Sequence, residues 1–385
     1  MTMLQFNHVK ISAISVVVPE TEINIYDEAK YYGNSIKKID RMRKMVGFWK
    51  RRVADKEDTA LDYAYNAAQH LIRDFDIDKK TIDALIFVVQ KPDWIGPVNS
   101  YFIHHKLGLP QSCISTDIVQ GCPGWAFGLY MASHMIESGA HKHVLLLNGD
   151  TPSVGIDPSD RNQAPIFGDG GCATLLEFSE ENVSSYFRID TVSEGYDAII
   201  NPFLGARSGI NLLEDDGFDL FSNLRNERVT LSTGNTQPLL GGYLDGLRVF
   251  DFTIKEVPKT INELIDYANI GRDNINILAL HQANKQIIQS VGHASGFDLD
   301  KVPYDAFENY GNNTMCSIPT TLSLLEDNLR QGYICCCGFG NGLASVATIH
   351  DFSTTKFSPI RNFVKPEYSL SRDEYIDYWR KKMQQ

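Results

Sequence analysis

Apolar residues along this 385-residue chain gather in short runs of strand length, separated by stretches in which apolar positions recur at helical spacing. Val9 to Val18 reads as a strand, Thr59 to Phe75 as a helix and Ile82 to Gln90 as a second strand. Val98 to Leu107 has the pattern of a helix. Cys113 to Gln120 reads as a short buried strand, and His143 to Asn148 and Cys172 to Phe178 as two more. The second half continues with a helix near Ile261 to Tyr267, a strand over Asn276 to Leu280 and a helix from about Lys285. A further helix is expected over Thr320 to Gln331, then strands over Tyr333 to Cys337 and Leu343 to Ile349. Alternation of this kind predicts an α/β protein with largely buried sheets.

The pattern repeats. Leu71, Ile72, Ile77, Ile82 and Leu85 return as Leu264, Ile265, Ile270, Ile275 and Leu278 at one constant interval, about half the chain. Gly121-Cys122 before one helix echoes Gly311-Asn312 before another, and Phe167-Gly168-Asp169-Gly170 echoes Phe339-Gly340-Asn341-Gly342. Self-similarity at a fixed interval marks a duplicated structural unit. Two related halves are therefore expected, each contributing residues to one site between them. Chance likeness of two helix–strand units is the alternative, because the later echoes have different intervals.

Cys122 supplies the first candidate chemistry. It sits in Asp117-Ile118-Val119-Gln120-Gly121-Cys122-Pro123-Gly124-Trp125, at the joint between a strand and a helix. Pro123 suits a first helical position, apolar residues dominate from Trp125 to Ile136, and Gly139 suits the helix end. A thiol there lies at the positive end of a helix dipole, beside unpaired backbone N–H groups. That placement is expected to lower its pKa and favour the thiolate; the alternative is a small buried core residue. His281-Gln282-Ala283-Asn284 ends a strand, and Tyr310-Gly311-Asn312-Asn313-Thr314 precedes a helix. Both place polar side chains on loops at element ends, where catalytic groups gather. Alone, His281 reads as a core histidine and Asn312 as a turn residue. The functional reading rests on the three together, in the order Cys, His, Asn.

Gly121-Cys122-Pro123-Gly124, His281-Gln282-Ala283-Asn284 and Gly311-Asn312 resemble the three active-site signatures of β-ketoacyl-ACP synthase III, in the thiolase superfamily. Phe167-Gly168-Asp169-Gly170-Gly171 resembles that family's glycine-rich segment, Asp157-Pro158-Ser159-Asp160-Arg161 the run before it, and Gly338-Phe339-Gly340-Asn341-Gly342 its late glycine loop. The resemblance spans roughly residues 8 to 352. It implies a thiolase-like duplicated αβαβα five-layer fold, with residues 1–180 carrying the Cys nucleophile and residues 181–385 carrying His and Asn. It implies decarboxylative Claisen condensation: Cys122 takes an acyl group from a CoA or acyl-carrier-protein thioester, and a malonyl thioester then loses CO₂ and attacks it. His281 and Asn312 are expected to donate hydrogen bonds to the enolate oxygen, and the backbone N–H groups of Cys122 and Asn341 to form the oxyanion hole. Asn341 stands where the family usually has Gly. No metal or redox cofactor is called for. A homodimer in a fatty-acid or polyketide pathway is also implied. Two other readings remain open: transfer of the acyl group to an amine or alcohol without decarboxylation, and a pocket-shaping partner subunit of a heterodimer. The additional catalytic Glu of alkene-forming and hydroxymethylglutaryl-CoA synthases is not identified in this chain.

Charge refines the picture. The formal net charge of −12 argues against general nucleic-acid binding. Against that background, Lys37, Lys38, Arg41, Arg43, Lys44, Lys50, Arg51 and Arg52 are opposed locally only by Asp40. A basic run in an acidic chain suits an anionic partner such as an acyl carrier protein; a solvated helix face is the alternative. Arg41, Arg43, Lys44, Arg51, Arg52 and Arg161 are the candidate carrier- or substrate-binding residues. The positions of an aromatic residue and an arginine that contact CoA in bacterial members fall at Arg41 and Met45. Two basic positions that receive carrier protein fall at Asp251 and Gln286, with Lys255 and Lys285 nearby. A bulky residue that closes the acyl pocket across the dimer is replaced near Gly96, which admits a longer or different primer. No apolar stretch approaches the ~20 residues of a membrane span. No signal peptide is evident, and the cysteines show no metal spacing, so a reducing cytoplasm is expected. Residues of about 186 to 248 read as an insertion, and about 353 to 385 as a polar tail with a helix at Arg372 to Lys382.

Overall fold

The computed structural model describes residues 2–203, 227–230, 236–329 and 332–385. Two sheets dominate it. The first runs in the order Lys356–Phe357, Val9–Val18, Gly170–Phe178, His143–Asp150, Ala84–Val89 and Ile114–Val119, with Arg361–Asn362 also pairing with Val9–Val18. The second runs Thr2–Phe6, Ser185–Thr191, Ala344–Asp351, Tyr333–Gly340 and Ile275–Leu280. Val9–Val18 is antiparallel to Gly170–Phe178, which is antiparallel to His143–Asp150, which is parallel to Ala84–Val89. The second sheet repeats those senses through Ser185–Thr191, Ala344–Asp351, Tyr333–Gly340 and Ile275–Leu280. The sheets exchange their outer strands. Thr2–Phe6 pairs with Ser185–Thr191, whereas the strands after residue 353 return to Val9–Val18.

The two-residue period of a strand builds the layers. Leu85, Phe87 and Val89 pack with Leu61, Leu71 and Ile103 of the helices Ala60–Asp74 and Asn99–Leu107. Their neighbours Ile86 and Val88 face Trp125 and Leu129 of Gly124–Glu137 and Ile318 and Leu322 of Ser317–Leu324. In the other sheet Cys336 joins that central layer. Cys335 and Cys337 pack outward with Val257, Ile261 and Ile288 of the helices Gly246–Ala268 and Lys285–Ala294. The five layers are thus helix, sheet, paired central helices, sheet, helix. Trp125 is fully buried at the centre, with its indole N–H donated to Thr174 Oγ1 at 3.0 Å.

Several expectations need correction. The strand Ile114–Val119 is a sheet edge with Ile114 50% and Val119 71% exposed, because nothing among the described residues pairs with its outer side. Pro123 occupies the N-cap of Gly124–Glu137 and not its first helical position. The helix expected to reach Gln331 ends at Leu324 and is followed by a 3₁₀ turn, Glu326–Asn328. The segment read as an insertion begins with a core strand, Ser185–Thr191; residues 204–226 and 231–235 lie outside the described residues. In the tail, Phe363 stacks on Tyr63 at 4.2 Å. The helix Arg372–Lys382 starts in a capping box of Ser371 and Glu374, and Trp94 Nε1–H donates to Tyr375 Oη at 2.9 Å.

Two of the candidate carrier-binding arginines belong to the fold. Arg51 is 6% exposed and grips Glu28 with both guanidinium nitrogens, at 3.0 and 2.6 Å. Arg161 reaches the same carboxylate at 2.9 Å and also donates to Tyr32 Oη and Pro158 O. Burial pushes the Glu28 carboxyl up, but hydrogen bonds and charge from Arg51 and Arg161 outweigh it and hold the pKa below the usual range. Removing this carboxylate leaves one buried cation, Arg51, and one half-buried cation, Arg161, without their shared partner. Glu28→Ala is therefore expected to cost about 3 kcal/mol in urea denaturation at neutral pH. Because the folded pKa is depressed, the carboxylate's contribution is present above the unfolded pKa. It is lost as pH falls through the folded value, so the gap between wild type and variant should narrow in acid.

Candidate active site

Cys122 lies between the strand Ile114–Val119 and the helix Gly124–Glu137, and its surroundings come largely from the other sheet. A Cβ placed on Gly340 would stand 3.0 Å from Cys122 Cβ and 3.1 Å from its Sγ. Gly340 also has φ +141, a conformation that L side chains rarely adopt. Only glycine lets the strand end come this close. The backbone N–H groups of Asn341 and Cys122 both act on the thiol in the direction that favours its thiolate. The Asn341 side chain turns away, donating to Ile199 O at 3.0 Å.

The thiol does not gain the lowered pKa expected at a helix start. Burial pushes it up to about 11, Asp150 adds to the shift, and the two N–H groups only partly oppose it. Pro123 brings no N–H of its own, and a thiolate here loses more hydration than the helix end returns. At neutral pH the group is a thiol, partly open to solvent.

His281 ends the strand Ile275–Leu280 and is held by a backbone bond to Cys337 O at 2.9 Å. Its ring stands edge-on to Phe339, 5.5 Å between centroids. Nδ1 lies 3.1 Å from Thr314 O and 2.9 Å from Ser317 Oγ. Burial pushes its pKa down to about 4, against the Thr314 bond, so the imidazole is neutral at pH 7. Asn312 is clamped by the glycine-rich segment: its N–H donates to Ile166 O at 2.8 Å, and its carbonyl accepts from Gly168 N–H at 3.1 Å. A Cβ on Gly168 would fall 2.0 Å from Tyr310 O, which explains the glycine. Asp169 anchors the segment by accepting from Ala54 N–H at 2.6 Å and from Ser153 N–H at 2.9 Å. Asn312 Oδ1 accepts from Thr314 N–H at 3.0 Å, which turns its NH₂ toward any other acceptor.

Thr314 thus joins the two polar candidates, with its N–H on Asn312 and its carbonyl on His281. It does so at φ +51, a strained conformation for a β-branched residue. Sequence reasoning missed Thr314, Ser317 and the neighbouring buried Asp150, whose carboxyl burial pushes up to about 6. Their only signal was proximity to Asn312 and to the end of a strand.

The remaining candidates lie elsewhere. Arg41 and Lys44 are exposed on the helix Ile36–Val46, whereas Arg43 lays its guanidinium 3.5 Å from the Trp49 ring centroid. Arg52 pairs with Glu22, as does Lys50. Lys255 pairs with Asp251 at 2.5 Å, and Lys285 lies over Tyr304. Gly96 is at the exposed tip of a loop beside Ile95, which is 99% exposed.

Residues 116–195 match the family described as 3-Oxoacyl-[acyl-carrier-protein (ACP)] synthase III, and residues 265–352 its C-terminal part. A Campylobacter jejuni relative carrying the designation 3-oxoacyl-[acyl-carrier-protein] synthase 3 is 32% identical over 349 residues, covering 90% of this chain and 95% of its own. The chain belongs to the β-ketoacyl-ACP synthase III family. Its members are acyltransferase-type condensing enzymes. A Halalkalibacterium halodurans β-ketoacyl-[acyl-carrier-protein] synthase III is 29% identical, covering 88% of this chain and 95% of its own. The crystal structure of a 3-oxoacyl-(acyl-carrier protein) synthase from Burkholderia xenovorans LB400 superposes with a TM-score of 0.81 at 27% identity, covering 94% of this chain and 99% of the other. The fold is thiolase-like, as the resemblance implied.

In this synthase III homologue the raised thiol pKa has a direct readout. Alkylation of Cys122 by iodoacetamide should rise about tenfold per pH unit from pH 7 to 9, because only the thiolate reacts. Peptide mass spectrometry should find the remaining cysteines unmodified, since each is buried. A rate already level at neutral pH would place the thiol pKa far lower.

Proposed function

We propose that this protein is a cytoplasmic, homodimeric synthase that condenses an acyl thioester with a malonyl thioester through an acyl group on Cys122. The observation that carries the proposal is the close approach of Gly340 to Cys122, which leaves no room for a Cβ between them and sets the backbone N–H groups of Asn341 and Cys122 where they favour the thiolate. The same N–H groups are proposed to receive the oxygen of an acyl group bonded to Sγ, the role of an oxyanion hole. Because the thiol is protonated at neutral pH, acylation needs a proton acceptor, and neutral His281 fills that role. Cys122 sulfur bonds the acyl carbon, the carrier thiolate leaves, and the thiol proton passes through His281 to that thiolate. In the second half-reaction the malonyl carboxylate leaves as CO₂. The enolate oxygen receives hydrogen bonds from Asn312 NH₂ and His281 N–H, and the enolate carbon attacks the acyl carbon. Cys122 departs as thiolate and regains a proton from solvent.

A second copy of this chain is proposed to cover the exposed sheet edge Ile114–Val119. Among the described residues no helix is long and apolar enough to cross a membrane. For carrier docking, the helix Ile36–Val46 buries Ile39 and exposes Lys37, Lys38, Arg41 and Lys44. With Arg51, Arg161 and Arg52 committed within the chain, these four form the proposed carrier surface. Charge reversal at Arg41 and Lys44 should slow association with an acidic carrier protein and flatten its salt dependence. Acylation by a short pantetheine thioester without phosphate should be nearly unchanged in stopped-flow assays.

The catalytic roles separate kinetically. Asn312→Ala should lower CO₂ release from a malonyl thioester by about 10²–10³ while acylation of Cys122 stays near wild type. His281→Ala should lower both steps at neutral pH, with acylation recovering as pH rises toward the thiol pKa. Single-turnover assays that follow acyl-enzyme and CO₂ separately check this. A wild-type enzyme that hands its acyl group to an amine or alcohol and releases no CO₂ would favour the transferase reading.

A further inference from the structure

We propose that Ser317 sets which ring nitrogen of His281 carries the proton, so that one imidazole serves as acceptor in acylation and as donor in decarboxylation. The proposal rests on the assignment of both half-reactions to His281 made above. Its basis is the pair of groups at Nδ1. The Thr314 carbonyl, 3.1 Å away, can only accept a hydrogen bond. The Ser317 hydroxyl, 2.9 Å away, can accept or donate. Ser317 Oγ already accepts from Gln282 N–H at 3.2 Å, which leaves its own proton available for Nδ1.

Two complete arrangements follow. In the first, Nδ1–H donates to Thr314 O and Nε2 carries the lone pair. In the second, Ser317 O–H donates to Nδ1 and Nε2 carries the hydrogen. Both keep the ring neutral and in the same place. The heavy atoms need not move: Ser317 opens the helix Ser317–Leu324, its carbonyl accepts from Thr321 Oγ1 at 2.9 Å, and it is almost fully buried. Only protons move: the hydroxyl proton rotates and the ring proton changes nitrogen. The first arrangement suits removal of the Cys122 proton, and the second suits a bond to the enolate oxygen. They differ only in which ring nitrogen holds the single ring proton, so the proton lost from one nitrogen is the one gained by the other, with no change of net charge or oxidation state.

Ser317→Ala removes the donor and leaves the Thr314 carbonyl to hold Nδ1–H. In ¹⁵N NMR of ring-labelled full-length protein, wild-type His281 should show both tautomers, and Ser317→Ala should show Nδ1–H alone. Ser317→Thr, which keeps a hydroxyl, should restore the mixture. In single-turnover assays Ser317→Ala should lose CO₂ release by about 10²-fold while acylation changes by no more than a few-fold. A wild-type enzyme with Nδ1–H alone overturns the proposal without recourse to any variant. So does an unchanged tautomer ratio in Ser317→Ala, or equal loss of both half-reactions. The tautomer measurement needs no substrate, so absence of CO₂ from wild type would overturn the condensation reading separately.

Discussion

The close approach of Gly340 to Cys122 is the constraint on which the site depends. Two sheets of matching topology each send one strand end toward the middle, and there is no room for a Cβ between them. This contact brings Asn341 beside the thiol and couples Cys122 to a strand that also carries Phe339 against His281. The paired central helices hold the sheets at the distance the contact requires. Trp125, three residues after Cys122, is fully buried among residues of that layer. A cavity there would be felt at once, since burying so large a side chain contributes several kcal/mol.

Burial also decides the electrostatics. It raises the Cys122 thiol to about 11, lowers His281 to about 4 and raises Asp150 to about 6. A helix start exerts a partial charge over one turn, and here desolvation exceeds it. Cys122 and His281 are therefore both neutral at pH 7, and the His281 ring is held by the Thr314 carbonyl and the Ser317 hydroxyl. Thr314 does most of the fixing, at a strained φ that the surrounding loops maintain. Glu28 shows the other outcome of burial: with two arginines on one carboxylate, pairing exceeds desolvation.

Much of this was legible in the sequence. Val9 to Val18 forms the strand that its pattern predicts, and the helix Arg372–Lys382 has the bounds expected for it. The alternation of Cys335, Cys336 and Cys337 between layers follows from strand period. Cys122, His281 and Asn312 stood out because each ends or begins a regular element. What stayed hidden depends on contacts between distant segments. Arg51 and Arg161 read as free charge because Glu28 lies far from either in sequence. Ile114–Val119 read as buried from its length and its place before a helix, although Ser115, Thr116 and Asp117 interrupt its apolar residues; such a pattern does not tell a central strand from an edge. The two-residue strands after residue 353 have no period to detect. Thr314 and Ser317 are ordinary residues whose importance comes from the atoms they face.

The most direct test of condensation on Cys122 is a two-step single turnover. Wild-type protein is incubated with an acyl thioester, freed of excess donor, and mixed with a malonyl thioester carrying ¹³C in its free carboxylate. Intact-protein and peptide mass spectrometry follow the adduct while the gas phase is analysed for ¹³CO₂. The expected result is one acyl group on Cys122, lost on mixing with release of one equivalent of ¹³CO₂ and appearance of the 3-oxoacyl thioester. An adduct on another residue, or an acyl-Cys122 that persists without ¹³CO₂ release, would contradict it.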